Sequence, residues 1–188
     1  MGLDMYLTKK TYIGAQYDHM KVKGRVQITA GDKKVPIKFK RVQEITESVA
    51  YWRKANAIHS WFVENVQSGK DDCEEYPVSI EQLKELVSLC KKVKESVKLV
   101  DGTINNGYTF ENGVEKPILA KGKVIVDASE AEDLLPTQGG FFFGSTDYDE
   151  YYMQDVDDTI KLLEPLIKEI EKEKESNVYS TIYYQSSW

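Results

Sequence analysis

Apolar and polar residues alternate through Leu3–Asp–Met–Tyr–Leu7, the pattern of a half-buried strand, and strand character runs on to Ile13. Gly14 to Asp18 reads as a loop. Lys23–Thr29 alternates again, Ala30–Gly–Asp–Lys33 is a turn signal, and Val35–Val42 returns with Ile37 and Phe39 on one face. These two runs predict a β-hairpin. Pro36 places the start of its second strand at an edge or an end.

The period then changes. Wound as a helix from Val49 to Val66, with Thr46 or Ser48 as cap, the chain puts Val49, Trp52, Ala55, Ile58, Phe62, Val63 and Val66 on one broad face. Arg53, Lys54, Ala57, Ser60, Trp61 and Glu64 take the other side. Asn56 and His59 land inside the apolar face, with Trp52 beside both. Gln67–Pro77 is a polar loop with an acidic cluster, Asp71, Asp72, Glu74 and Glu75. It reads as a solvated loop or, less well, as a weak cation site, since it lacks the Gly and Glu positions of a calcium loop. Ser79–Ile–Glu–Gln82 is a capping box, and Ile80, Leu83, Leu86, Val87, Cys90, Val93 and Val97 form a clean helical stripe over 79–98.

Asp101–Gly102, Asn105–Asn–Gly107 and Glu111–Asn–Gly113 punctuate a β-like segment. Asn-Gly between strand-like runs is a strong hairpin signal, so 100–123, and Gly107–Lys123 most clearly, reads as a hairpin excursion from the main fold. Ser129–Leu135 gives one or two helical turns ended by Pro136. Phe141–Phe–Phe143 reads as a short strand buried on both faces. The Gly144–Ser–Thr segment after it has the layout of a phosphate-cradling loop but no Lys. Asp147 and Glu150 predict a reciprocal cap on a helix over 149–174, whose seam is Met153, Val156, Ile160, Leu163, Ile167 and Ile170. Pro165 interrupts its hydrogen bonding. Val178–Tyr184 closes the chain as an aromatic, β-branched strand.

These elements predict one α+β domain over 1–188: a mainly antiparallel sheet with three principal helices, the first and last strands sharing that sheet. The 188 residues suffice for a sizeable core without cross-links. Lys and Arg number 25 against 31 Asp and Glu, giving a net charge of −6. With no basic run, binding nucleic acid through a basic patch is excluded as a reading. Cys73 and Cys90 offer no disulfide framework or zinc spacing, and His19 and His59 share no ligand pattern, so neither metal nor cofactor is expected. No secretory leader and no membrane-spanning run is read, which points to the cytoplasm. Met1–Gly2 lacks the Ser or Thr of a myristoylation signal, Tyr6 standing there. Tyrosine is abundant, at 12 residues.

Two functional readings follow. Asn56 and His59 are either satisfied core residues or the lining of a pocket, because a buried polar side chain needs a partner. The pocket reading gives a small enzyme or ligand-binding domain with a polar cluster of Trp52, Arg53, Asn56, His59, Gln138, Asp147, Asp149, Gln185 and Ser186. In it His59 is the acid or base, and Asp147 orients it. The other reading is a non-enzymatic protein with a protein partner. It rests on abundant Tyr, on Trp61 facing away from the apolar side, either as an exposed interface anchor or covered by a second layer, and on the absence of a nucleophile–base pair. Monomer and homodimer both remain open, a homodimer forming if the carboxy-terminal strand lies at a sheet edge.

The opening Met1–Gly–Leu–Asp–Met–Tyr–Leu7, the stretch Tyr51–Trp–Arg–Lys–Ala–Asn–Ala–Ile–His–Ser–Trp–Phe–Val63, Leu135–Pro–Thr–Gln–Gly–Gly–Phe–Phe–Phe–Gly144 and Tyr184–Gln–Ser–Ser–Trp188 carry a resemblance. On them the chain resembles a family of uncharacterised proteins associated with bacteriophages, prophages and gut bacteria. The segment Val100–Lys123 lies outside the similarity. The resemblance implies a phage or mobile-element setting in a bacterial cytoplasm and no assigned activity.

Overall fold

The computed structural model describes residues 2–13, 27–140, 142–175 and 179–188. Its elements in order are β1 (Asp4–Tyr12), β2 (Ile28–Ala30), β3 (Lys33–Val35), β4 (Glu44–Arg53), α1 (Asn56–Asn65), β5 (Tyr76–Val78), α2 (Ile80–Ser96), β6 (Leu99–Glu111), β7 (Val114–Ile125), α3 (Ser129–Leu134), α4 (Glu150–Glu175) and β8 (Tyr179–Ser187). The architecture is α+β. The main sheet has the order β4-β1-β8-β5, with every neighbour antiparallel. The first and last strands are partners along their whole length, from Asp4 opposite Ser187 to Tyr12 opposite Tyr179. Strand β8 is therefore an inner strand and not an edge, with β5 on its far side over Tyr76–Val78.

Alternation decides the two faces of the sheet. Met5, Leu7, Ala50, Trp52, Val78, Ile182 and Tyr184 point inward and are buried under α1, α2 and α4. Helix α2 has the predicted capping box, with Ser79 and Gln82 exchanging both bonds, and buries its stripe from Ile80 to Val93. Cys90 lies in that stripe as a packed thiol, pushed up to about 12 by burial. Helix α4 runs through Pro165 and buries Val156, Leu163, Leu166, Ile167 and Ile170. One inward position is a cation: Lys9 is buried and held by Glu47, Glu169 and Glu173 at 3.1, 2.6 and 2.8 Å. Its hydrogen-bonded acids raise its pKa against the opposing effect of burial.

The structure revises several local expectations. Residues 49–53 belong to β4 and not to a helix. Ala50 and Trp52 alternate inward there while Tyr51 and Arg53 face out, and the main-chain pairing with β1 outweighs the helical spacing. Lys54 then takes a left-handed conformation (φ 61°), and the helix begins only at Asn56. In the amino-terminal hairpin, the second strand stops at Val35 before Pro36. Phe39–Arg41 is a single 3-10 turn, not part of a strand. The first strand of that hairpin is Ile28–Ala30, and its expected start at 23–26 lies outside the described residues. The expected loop at 14–18, His19, Phe141 and Val178 lie outside the described residues. No strand forms at 142–143: Phe142 is left-handed (φ 64°) and exposed, while Phe143 turns back into the core. The cap of α4 is Asp149 and not Asp147. The Asp149 Oδ1 accepts from the Tyr151 and Tyr152 amides at 2.8 and 3.2 Å. The hairpin of β6 and β7 turns at Asn112–Gly113, both with positive φ, as a two-residue hairpin turn requires.

Candidate functional site

His59 sits on α1 with no exposed surface. Its Nδ1 lies 2.7 Å from the Tyr184 hydroxyl of β8, and its Nε2 lies 3.0 Å from Asp71 Oδ2. The neutral ring satisfies both partners in one tautomer: Nε2–H donates to the carboxylate and Nδ1 accepts the phenol proton. The Asp71 Oδ1 in turn accepts from the Trp188 indole at 2.9 Å. Tyr184 is fully buried and stacks on Phe62, with ring centroids 4.0 Å apart and planes 6° from parallel. Burial pushes its phenol well above the ordinary value, and the Asp71 charge adds to this. The Ser186 hydroxyl lies beside that phenol, yet no bond of ordinary geometry reaches its Oγ.

Carboxylate, imidazole and hydroxyl in series form the chain that activates a nucleophile in acyl transfer. Here the hydroxyl that would attack is sealed, and so is the base. Two described grooves lie away from them. One, of about 540 Å³, lies along α4 between Pro165 and Glu173, and the other, of about 220 Å³, lies between Lys84 and Glu171. The arrangement ties α1, the 67–75 loop and β8 together.

The remaining expected site residues do not join His59. Asn56 is fully used by the loop over it. Its Nδ2 donates to the carbonyls of Phe143 and Ser145 at 3.2 and 2.7 Å, and its Oδ1 accepts the Gln138 amide at 3.1 Å. Gln138 thus contributes its backbone. Trp52 donates to Thr159 Oγ1 at 3.0 Å. Arg53 faces the opposite side of the sheet, 3.9 Å from Asp4. Asp147 bonds Ser145 within its own turn, and Asp149 caps α4. Gln185 reaches the Cys73 carbonyl from the outer side. Of the two expectations for Trp61, the covered one holds: it is buried against Phe62, because α1 is enclosed on nearly all sides. Among the described residues, no group of three His, Cys, Asp or Glu is placed to hold a metal ion. No described helix is long and apolar enough to cross a membrane. Sequence reading did not single out Asp71 and Tyr184 as partners of His59. Asp71 looked like one of several loop acids, and only the closed fold brings it back over α1.

The outer face of the sheet carries a second constellation. No described helix covers it. In register across the strands it reads Arg53–Asp4–Ser187, Tyr51–Tyr6–Gln185, Ser48–Thr8–Tyr183, Thr46–Lys10–Thr181 and Glu44–Tyr12–Tyr179. Five tyrosines, Tyr6, Tyr12, Tyr51, Tyr179 and Tyr183, thus share one solvent-facing surface. The Tyr6 and Tyr51 rings are 5.4 Å apart, and Lys10 Nζ stands 4.6 Å from the Tyr183 ring centre while pairing with Glu75. The Tyr51 hydroxyl donates to Asp4, which raises its pKa. The face is nearly neutral, Arg53 and Lys10 offsetting Asp4 and Glu44. The signal was available in the sequence as the period-two spacing Tyr6, Thr8, Lys10, Tyr12 and Tyr179, Thr181, Tyr183.

Comparison of the chain with protein-family models, curated proteins and solved structures finds no match.

Proposed function

We propose that this chain is a non-enzymatic interaction protein that contacts a protein partner through the open tyrosine face. We further propose that it serves as a phage or mobile-element accessory factor acting on a host component. The observation that carries the reading is the convergence of Tyr6, Tyr12, Tyr51, Tyr179 and Tyr183 on one sheet surface that no described helix covers. Tyrosine supplies large, rigid, amphipathic contact area at low entropic cost. The balanced charge of the face suits a protein surface better than a phosphate backbone. The alternative, an enzyme built on His59, has its only general base sealed in the core. The host setting rests on the resemblance of the chain's ends and central stretch to phage-associated proteins.

The test is affinity capture from bacterial host lysate with the wild-type chain and a Tyr51→Ala/Tyr179→Ala variant. Both side chains are about half exposed, so the variant should melt with the wild type. The reading expects a partner that the wild type retains and the variant loses by about tenfold or more. Equal recovery by both proteins, or none by either, refutes it.

A further inference from the structure

We propose that the excursion between β1 and β4 carries a basic arm, residues 27–43, that docks on the phosphate backbone of a nucleic acid without reading its sequence. This inference is independent of the tyrosine face. Residues 27–43 hold Lys33, Lys34, Lys38, Lys40 and Arg41 against one acid, Asp32. The chain as a whole carries −6, so the rest of it carries −10. The overall acidity that spoke against nucleic acid averages two unlike parts. A local excess of cations in an acidic chain is the footprint of a surface for polyanions.

The fold holds the five cations out in solvent. The Ile13 amide donates to the Gln43 carbonyl at 2.9 Å and closes the base of the excursion where it leaves the sheet. Among the described strands, β2 and β3 pair only with each other, from Ile28 opposite Val35 to Ala30 opposite Lys33. Gly31, at φ 59°, starts the two-residue turn that joins them. Successive strand residues point to opposite faces, so Lys33 and Lys34 stand on the two sides of this small ribbon. The chain then passes Pro36 into the 3-10 turn Phe39–Arg41, with Lys38 before it and Lys40 and Arg41 in it. All five side chains are exposed, and none forms an ion pair among the described residues. By contrast Lys84, Lys91 and Lys94 on α2 are each paired with an acid of α4.

Three observations favour nucleic acid over a protein or a membrane. The first is that the cations are free. Each Lys or Arg set against a phosphate releases a condensed counterion, and a lysine with no acid to surrender does so at full gain. The second is composition. Four of the five are Lys, which protein interfaces deplete at their cores, and no Tyr or Trp stands in 27–43 to anchor one. The third is the tip. Gly31–Asp32 carries an acid and no large apolar side chain, and Phe39 is half-buried, so no apolar wedge is presented to a bilayer. Asp32 also turns the tip away from phosphate, so the arm docks along the stretch from Lys33 to Arg41.

Fluorescence anisotropy of labelled oligonucleotides between about 50 and 200 mM salt tests the arm. The probes are two DNA duplexes of different sequence, one of their single strands, and an RNA duplex. Five phosphate contacts give a slope of about −4.5 in log K against log salt, a loss of about 500-fold across that range. Lys33→Gln/Lys34→Gln/Lys38→Gln keeps two of the five cations. It should bind at least about tenfold more weakly at the low-salt end, with a slope near about −2. The two DNA duplexes should bind within about threefold of each other. Lys84→Gln/Lys91→Gln/Lys94→Gln makes the same charge change on α2 and should leave binding within about threefold of wild type. Melting curves on both variants confirm folding, since every changed side chain is exposed. Which probe binds most tightly identifies the source of the phosphates. No binding at the low-salt end, a slope unmoved by the arm variant, an equal loss in the α2 variant, or capture of phosphatidylserine vesicles in place of the oligonucleotides overturns the proposal.

Discussion

Replacing His59 by alanine takes an imidazole out of a space with no exposure to solvent and removes two hydrogen bonds at once. The partners do not suffer equally. Tyr184 is fully buried, so its hydroxyl loses its acceptor with no water to replace it, costing about 1–3 kcal/mol. The Asp71 side chain is 21% exposed and keeps the Trp188 indole, so its carboxylate rehydrates at little cost. The vacated ring leaves a cavity beside Phe143 and Tyr184, and a core truncation of this size costs roughly 2–5 kcal/mol on its own. These contributions overlap, and about 3–5 kcal/mol together is expected, or about 8–15 °C in melting temperature for a chain of this length. Tyr184→Phe keeps the ring on Phe62 and loses only the hydroxyl, which should cost about 1–2 kcal/mol. Urea unfolding followed by tryptophan fluorescence measures both, and the double variant should show about 1–2 kcal/mol of coupling. If His59→Ala unfolds within about 1 kcal/mol of wild type, His59 is not a structural tie and its burial needs another explanation.

Two further expectations follow from one buried and one half-buried group. Trp61→Ala should cost about 3–5 kcal/mol in the same assay, because the indole is buried; a loss under about 1 kcal/mol would restore it as a surface anchor. Burial, with the charges of Asp158 and Asp149 nearby, pushes the Asp155 carboxyl up to about 7 from 3.8. Its folded value lies above its unfolded one, so folding takes up a proton. The penalty is full above pH 7, fades as the pH falls through 7, and is gone near 4. Asp155→Asn should therefore raise stability at pH 8 by on the order of 2–4 kcal/mol and change it little at pH 4. Thermal melts giving the same difference at both pH values would rule this out.

What the sequence disclosed is what local chemistry decides. The capping box at Ser79, the stripe of α2, the Asn112–Gly113 turn and the alternation of the terminal strands each depend on neighbours in the chain. What it concealed depends on closure. Val49, Trp52, Asn56 and His59 are spaced like one helical face. Two of them are strand residues and two are helical, and the left-handed break at Lys54 carries no glycine to announce it. The polar partners of His59 come from a loop 12 residues on and a strand 125 residues on, separations that no periodicity encodes. The tyrosine face was visible as alternation, but only the position of the described helices, all on the other side of the sheet, distinguishes a surface from a core.

The pairing of β1 with β8 also bears on when the domain can form. Strand β1 emerges from the ribosome before the other described elements, and β8 after them. Until β8 is out, β1 has only β4 beside it, Met5 and Leu7 lack their inner neighbours, and His59 has no Tyr184. Sheet closure must bridge most of the chain, a long-range contact that slows folding. The helices can form during synthesis, but the sheet that holds them together closes only after translation has passed its last strand.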